Sequence, residues 1–314
     1  MRSSPAADAL RGHAADLPVA VAFSGGADST ALLHAAVTVW PGQVRAIHVH
    51  HGLQSAADAF ARHCQAVCDS LRLPLHVARV DARHSAGESP EDAARNARYA
   101  ALAESALGQG LREVLLAHQA DDQVETLLLA LSRGAGVAGL AAMPGHFERH
   151  GVRFVRPLLG IPGAVLREWL QGAGIQWVQD PTNEDLQRTR NRIRHRLLPA
   201  LAETFPQFRQ TFARSARHAA EAQALLSALA QRDLLDMGGA PVIASLQSLP
   251  RSRQANLLRH WLRGQHSAQA STAQLDELLA QVDACRTRGH RIAIKVGDGW
   301  VERSGDRLSF SRSL

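Results

Sequence analysis

The chain has 314 residues, 46% apolar and 20% charged, with a formal net charge of +6 and a pI near 10.4. That length carries a prior of two domains, and the apolar fraction suffices for a sizeable core. Three cysteines make no disulfide framework, no C-x-x-C or zinc-ligand spacing occurs, and no apolar run approaches a membrane span. The expectation is a cytoplasmic protein with reduced thiols. Lys295 is the single lysine among 35 basic residues. Guanidinium forks fit phosphate oxygens, so the charge points to nucleic acid; GC-rich coding is a competing cause of the same composition.

In chain order, short apolar runs alternate with helical patterns through about residue 200, the signature of an α/β parallel sheet. Strands are expected at Val19–Phe23, Val44–Val49, Leu75–Val80 and Glu113–Ala117, with Ile175–Val178 a weaker fifth. Helices are expected at Ser29–Val39, Ala56–Leu71, Pro90–Leu107 and Asp122–Ser132. After Pro199 the pattern changes. One long helix is expected from Pro206 to Met237, ending at Gly238-Gly239, then helices at Arg251–Leu262 and Thr272–Ala284. The tail reads as a β-meander of Arg291–Val296, Trp300–Arg303 and Arg307–Phe310. The resulting division is residues 1–205 and 206–314.

The segment Val19–Phe23 runs into Ser24-Gly25-Gly26-Ala27-Asp28-Ser29, and a helix pattern follows. Strand, glycine turn, helix start is the order of a phosphate-binding loop, because free N–H groups at the helix start face an anion. Ser24 and Ser29 add hydroxyl donors, and Asp28 adds an oxygen for a cation such as Mg²⁺. A Walker A lysine and a G-x-G-x-x-G fingerprint are both absent. His118 ends a strand just before Asp121, Asp122 and Glu125. Asp122 and Glu125 share a helix face, and acids in a first turn also complement the macrodipole. Helix starts are uncertain by a residue or two, which leaves open whether Asp121 or Asp122 faces a site. His48-Val49-His50-His51 alternates across a strand, which favours polar pocket walls over a metal site. Glu91, Arg95 and Arg98 form one charged stripe. Arg188, Arg190, Arg192, Arg194 and Arg196 alternate, which suits a segment held between protein and phosphate.

S-G-G-x-D-S after a first strand resembles the PP-loop of the ATP pyrophosphatase superfamily. The later motifs are more specific. Ala117-His118-Gln119-Ala120-Asp121-Asp122-Gln123-Val124-Glu125-Thr126 resembles A-H-H-x-D-D-Q-x-E-T, with Gln119 in place of the second histidine. His50-His51-Gly52-Leu53, the set Glu91, Arg95, Arg98 and Tyr99, and Arg156-Pro157-Leu158-Leu159 follow the same pattern. So do Asp180 and Asn183 before Arg190-Asn191, Ile193, Arg194 and His195. In this order they resemble the tRNA(Ile)-lysidine synthetase family.

The resemblance implies a Rossmann-like sheet of the adenine nucleotide alpha hydrolase type, with a mainly helical accessory domain ending in the β-meander. It implies a cytoplasmic ligase. ATP would adenylate the C2 oxygen of cytidine 34 in the CAU anticodon of tRNA(Ile), and the ε-amine of free lysine would displace AMP. ATP is implied at Ser24, Gly25, Gly26, Ala27, Asp28, Ser29, His50 and His118, with Mg²⁺ on Asp28. Asp122 and Glu125 are implied as the lysine-gripping pair. Arg95 and Arg194 are implied in charge stabilisation or RNA contact, with the two roles unseparated. Longer members carry a further domain, so tRNA selection is expected on residues 200–314. A homodimer stays open. Two other PP-loop classes compete: tRNA thiolases, which usually need a site cysteine, and NAD- or GMP-synthetase-like amide ligases, which need no basic accessory domain. A non-catalytic RNA-binding module has no use for the Ser24–Ser29 loop.

Overall fold

The computed structural model describes residues 4–50, 57–80, 90–287 and 289–312. The chain divides into two compact units, Met1–His218 and Ala219–Leu314. The first unit opens with α1 (Pro5–Arg11), β1 (Val19–Ala22), α2 (Ala27–Val39), β2 (Val44–His50), α3 (Ala57–Ser70) and β3 (Leu75–Arg79). It continues through α4 (Pro90–Leu107), β4 (Glu113–Leu115), α5 (Ala120–Ser132), α6 (Val137–Leu140), β5 (His146–Arg149), β6 (Val152–Val155) and α7 (Gly163–Gly172). A 3₁₀ turn (Pro181–Glu184), α8 (Thr189–Arg192), a π turn (Ile193–Leu197) and α9 (Leu198–Thr204) lead into α10 (Phe208–Asp236).

Six strands form one sheet in the order β3-β2-β1-β4-β6-β5, parallel except for the β5–β6 pair. β1 is buried because helices cover both faces. Val19, Val21 and Phe23 join a core with α1, α2 and α7, whereas Ala20 turns to the opposite face with Ile47, Tyr99 and Leu102. Cys64 and Cys68 lie four apart on α3, fully buried, and burial pushes both thiols up to about 12.

The expected strand at Ile175–Val178 is not formed. The free side of β4 is taken by β6, which in turn pairs with β5. Val178 N–H instead donates to Gly25 O at 2.9 Å, so this stretch braces the loop rather than extending the sheet. The β5–β6 hairpin is an addition to the expected strands. Its His150-Gly151 turn has φ of 52° and 75°, the primed-turn geometry that suits a two-residue hairpin.

The strand order reverses between β1 and β4. In open α/β sheets ligands bind outside the strand C-termini at that reversal. The Ser24–Ser29 loop follows β1 and the His118–Glu125 stretch follows β4, so the sheet sets the two motifs side by side. Residues 206–218 belong to the first unit. Phe208 is buried with Val124, Ile193 and Leu198, and Arg209 Nε donates to Asp121 Oδ1 at 2.5 Å. The 205/206 division expected from sequence thus precedes the observed one at His218/Ala219.

The second unit packs α11 (Ile243–Ser248), α12 (Arg251–His266) and α13 (Thr272–Ala284) with the antiparallel meander β7 (Ala293–Val296), β8 (Gly299–Ser304) and β9 (Arg307–Arg312). Leu257, Leu258, Trp261, Leu278, Val296 and Val301 form its core. Gly238 and Gly239, at φ 77° and 89°, end α10 as expected.

Candidate active site

The loop between β1 and α2 is built by serine hydroxyls. Ser29 Oγ donates to Gly26 O at 3.0 Å and lies 3.0 Å from Ser24 Oγ, and Ser24 N–H donates to Ser29 Oγ at 3.2 Å. Gly25 has φ +82°, and a Cβ there would stand 3.2 Å from both Cys64 Sγ and the His63 ring. Only glycine fits that backbone at that spacing. Gly26 is the N-cap of α2 with no side-chain cap bond, which leaves the N–H groups of the first turn for an anion. His48 and His50 share one side of β2. His48 Nδ1 donates to Phe23 O at 2.9 Å, supporting the strand end beneath the loop, and His50 lies 3.1 Å from Asp58. His51, Gly52, Leu53 and the side chain of Glu91 lie outside the described residues.

Acidic side chains gather at the start of α5. Gln119 is its N-cap: its Oε1 accepts from Asp121 N–H at 2.7 Å, and Asp122 Oδ2 accepts from Gln119 N–H at 3.0 Å. A reciprocal capping box explains why glutamine can stand in the motif's histidine position. Asp121 turns away, accepting from Gly163 N–H at 3.1 Å and from Arg209. Asp122 and Glu125 instead converge on Arg194. Its Nε donates to Glu125 Oε1 at 2.7 Å, and its Nη2 reaches Glu125 Oε2 at 3.2 Å and Asp122 Oδ1 at 3.1 Å. Glu125 is fully buried, while the Asp122 side chain keeps 16% of its surface open.

Charge makes this cluster unusual. Burial, and then the charge of Asp122, push Asp28 up to about 7, with Arg167 and Arg194 pulling the other way. Burial likewise raises Asp122 and Glu125 despite Arg194. For Arg194 burial works downward, but the Glu125 hydrogen bond and the charges of Glu125, Asp122 and Asp28 prevail and hold it above its ordinary value. Asp28 Oδ1 is buried and has no hydrogen-bond partner among the described residues.

A second cluster of opposite sign surrounds His118. Burial, followed by the charges of Arg156, Arg95, Arg98 and Arg190, pushes this imidazole down to about 3. It is therefore neutral, and its Nδ1 is buried without a partner among the described residues. Arg95 lies over the Tyr99 ring at 5.5 Å, and Arg156 donates to Pro144 O at 2.7 Å and to Tyr99 Oη at 3.3 Å. Arg95 and Arg194, unseparated in sequence, thus belong to different clusters. Arg190 acts on both, since its charge bears on His118, Asp122 and Glu125. Of the alternating arginines, Arg188, Arg192 and Arg196 are exposed. Asn191 ties this segment down, donating at 2.9 Å to Thr182 O and Asp185 O.

Family models match in two places. A PP-loop domain matches residues 6–201, and a TilS substrate binding domain matches residues 242–309. A tRNA(Ile)-lysidine synthase of Polaromonas naphthalenivorans (strain CJ2) is 63% identical over 295 residues, covering 94% of this chain and 90% of that relative. The chain belongs to the tRNA(Ile)-lysidine synthase family. A further tRNA(Ile)-lysidine synthase, from Burkholderia pseudomallei (strain K96243), is 44% identical over 278 residues, covering 86% of this chain. The chain spans 57% of that relative's length. A U34-tRNA thiolase of Methanococcus maripaludis shares the fold at TM-score 0.59 and 15% identity, over 69% of this chain and 78% of the thiolase. A PP-loop ATP-using domain and a TilS substrate binding domain in one chain fit the ATP-dependent lysidine formation of tRNA(Ile)-lysidine synthases, which are ligases. No helix among the described residues is long and apolar enough to cross a membrane.

Proposed function

We propose that this chain joins free lysine to C2 of cytidine 34 in the CAU anticodon of tRNA(Ile), using ATP. The observation that carries the reading is the meeting of Asp28, Asp122, Glu125 and Arg194 at the sheet edge where the phosphate loop ends. In the first step the C2 oxygen of cytidine attacks the α-phosphorus, and pyrophosphate leaves. Ser24, Ser29 and the α2 N–H groups hold the departing phosphates. In the second step the lysine ε-amine attacks C2, the C2–oxygen bond to AMP breaks, and the amine gives up its proton.

Asp28 suits a magnesium ion, because its Oδ1 is buried and unbonded beside a phosphate-sized loop. Among the described residues no group of three His, Cys, Asp or Glu could hold a metal alone, so water and phosphate oxygens would complete its shell. When bound, the ion would screen phosphate charge. Asp122, the more open of the two acids, is the group that takes the lysine ammonium and accepts its proton. Glu125 anchors Arg194, which sets the position of Asp122. The basic cluster of Arg95, Arg98 and Arg190 beside neutral His118 suits RNA phosphate and a base edge. Residues 219–314 supply further tRNA contacts.

Pyrophosphate exchange into ATP that depends on added tRNA(Ile), with incorporation of labelled lysine into the same tRNA, tests the whole reading. Exchange without tRNA, or tRNA modification without lysine, overturns it. Within the reading, Asp122→Asn raises the KM for lysine about ten-fold or more while the KM for ATP moves little. Equal changes in both constants would remove Asp122 from the lysine site.

A further inference from the structure

The start of α7 lies against the start of α5. Gly163 N–H is held by Asp121, and a Cβ on Gly163 would stand 3.0 Å from Gln119 Nε2 and 3.2 Å from Arg167 Nη1. The missing Cβ leaves the space into which the Arg167 guanidinium folds back over its own first turn, next to the amide that caps α5. Arg167 is exposed and makes no hydrogen bond or ion pair among the described residues. It is nevertheless the foremost cation acting on Asp28, whose buried Oδ1 is also unbonded. A guanidinium and a carboxylate that influence each other, yet each keep bonding capacity in reserve, are not a finished ion pair. They are arranged as two sides of a site whose occupant carries charge that both can meet.

We propose that Arg167 binds the pyrophosphate end of ATP, with Gly163 as the residue that positions it. The proposal rests on the reading of Ser24–Ser29 as an ATP loop. Arg167 lies outside every motif by which the sequence resembles its family. A planar fork of donors suits phosphate oxygens, and the fork is near the Asp28 carboxylate, where a cation would bind the same phosphates. Being exposed, Arg167 has little part in the core, so its loss leaves the fold in place.

The test is calorimetric binding of ATP, inorganic pyrophosphate and AMP to the full chain, with magnesium present. Arg167→Ala weakens ATP and pyrophosphate about ten-fold or more and leaves AMP within about two-fold, as expected when a charged partner of the phosphates is removed. Arg167→Lys recovers part of the affinity, because a point charge replaces a fork. Gly163→Ala gives the same ATP-over-AMP pattern in weaker form with an unchanged unfolding midpoint, because it displaces two flexible side-chain ends. Unchanged ATP and pyrophosphate affinity in Arg167→Ala overturns the proposal, as does an equal loss for ATP and AMP. Ser29→Ala and Asp28→Ala serve as the controls. If they weaken ATP while Arg167→Ala does not, only Arg167 is misassigned; if none of the three matters, the ATP-loop reading itself falls.

Discussion

Arg194 closes on Glu125 with two bonds, Nε to Oε1 at 2.7 Å and Nη2 to Oε2 at 3.2 Å, although 69 residues separate them in sequence. The arginine sits after the sheet is complete and the acid sits at its switch point. The pair therefore pins the Arg190–Arg196 segment to the site, and its third bond to Asp122 fixes the acid proposed to take lysine.

Removing that guanidinium leaves two buried carboxylates facing each other. Arg194→Ala should lower the unfolding free energy by about 2 kcal/mol, the modest end for a buried pair because Arg194 is partly solvated. Adding Glu125→Gln to it should restore part of the loss. Urea unfolding of the two single variants and the double variant measures this, and strictly additive losses would show that the pair is not coupled.

The Asp28 carboxyl titrates at about 7 in the folded chain against an ordinary 3.8. Its folded value is raised, so the native state holds more protons than the unfolded state across that window. The stability it contributes is present below pH 4 and is lost as pH rises through 7. Asp28→Asn should therefore be more stable than the parent at pH 8, by about 1–3 kcal/mol in the absence of nucleotide, with the two curves meeting near pH 4. Thermal unfolding across a pH series reads the difference, and a gap that widened toward acid would have the wrong sign.

Gly25→Ala meets two penalties at once. Its φ of +82° disfavours any Cβ, and that Cβ would press on Cys64 Sγ and the His63 ring at 3.2 Å. We expect a loss of about 1–3 kcal/mol together with loss of ATP binding. Gly42, also at positive φ but with open space around it, is the control: Gly42→Ala should lose stability without losing ATP. Retained ATP affinity in Gly25→Ala would detach the loop's shape from its binding.

A truncation that tests the accessory residues must end at 218 rather than 205, since Phe208 and Arg209 belong to the catalytic unit. Residues 1–218 should bind ATP and lose most tRNA affinity. Of the basic residues expected to touch tRNA, Arg251 and Arg253 are engaged with Asp283 and Asp233, whereas Arg259 and Arg263 are exposed. Every arginine–phosphate pairing that the truncation removes should flatten the slope of log affinity against log salt by about 0.9, with duplex DNA as the guide. Filter binding across a salt series decides it, and an unchanged slope would place tRNA binding on residues 1–218.

The parallel sheet, the long helix and the terminal meander are legible because burial writes periodicity into sequence. Val19–Ala22, Pro90–Leu107 and Thr272–Ala284 have strong local patterns, and they fold as those patterns say. Ile175–Val178 misleads because an apolar run records burial and not its partner; here the partner is Gly25 O rather than a strand. The β5–β6 hairpin is hard to read because His150-Gly151 is a less familiar primed turn than Asn-Gly. In the site, motif order points to Asp28, Asp122, Glu125 and Arg194. It cannot say which acid turns inward, because that depends on Gly163 and Arg209 claiming Asp121 from distant parts of the chain. Gln119 and Arg167 carry no signal, since a cap and a folded-back arginine are ordinary residues until their neighbours are known.

The π turn at Ile193–Leu197 holds one residue more than an α-helical path would need. Upstream of it stand Arg190 and Asn191; within it stands Arg194, and just beyond it Leu198 joins Val124, Ile193 and Phe208. Remove a single residue here and the turn relaxes to an ordinary helix, advancing everything on α9 by about 100°. Leu198 and Leu201 would swing off their core as Arg194 kept its acids, or the reverse. Length in this stretch is therefore a phase setting: side chains can be exchanged one at a time, but the spacing between Arg194 and Leu198 cannot shrink without giving up either the site or the core beneath it.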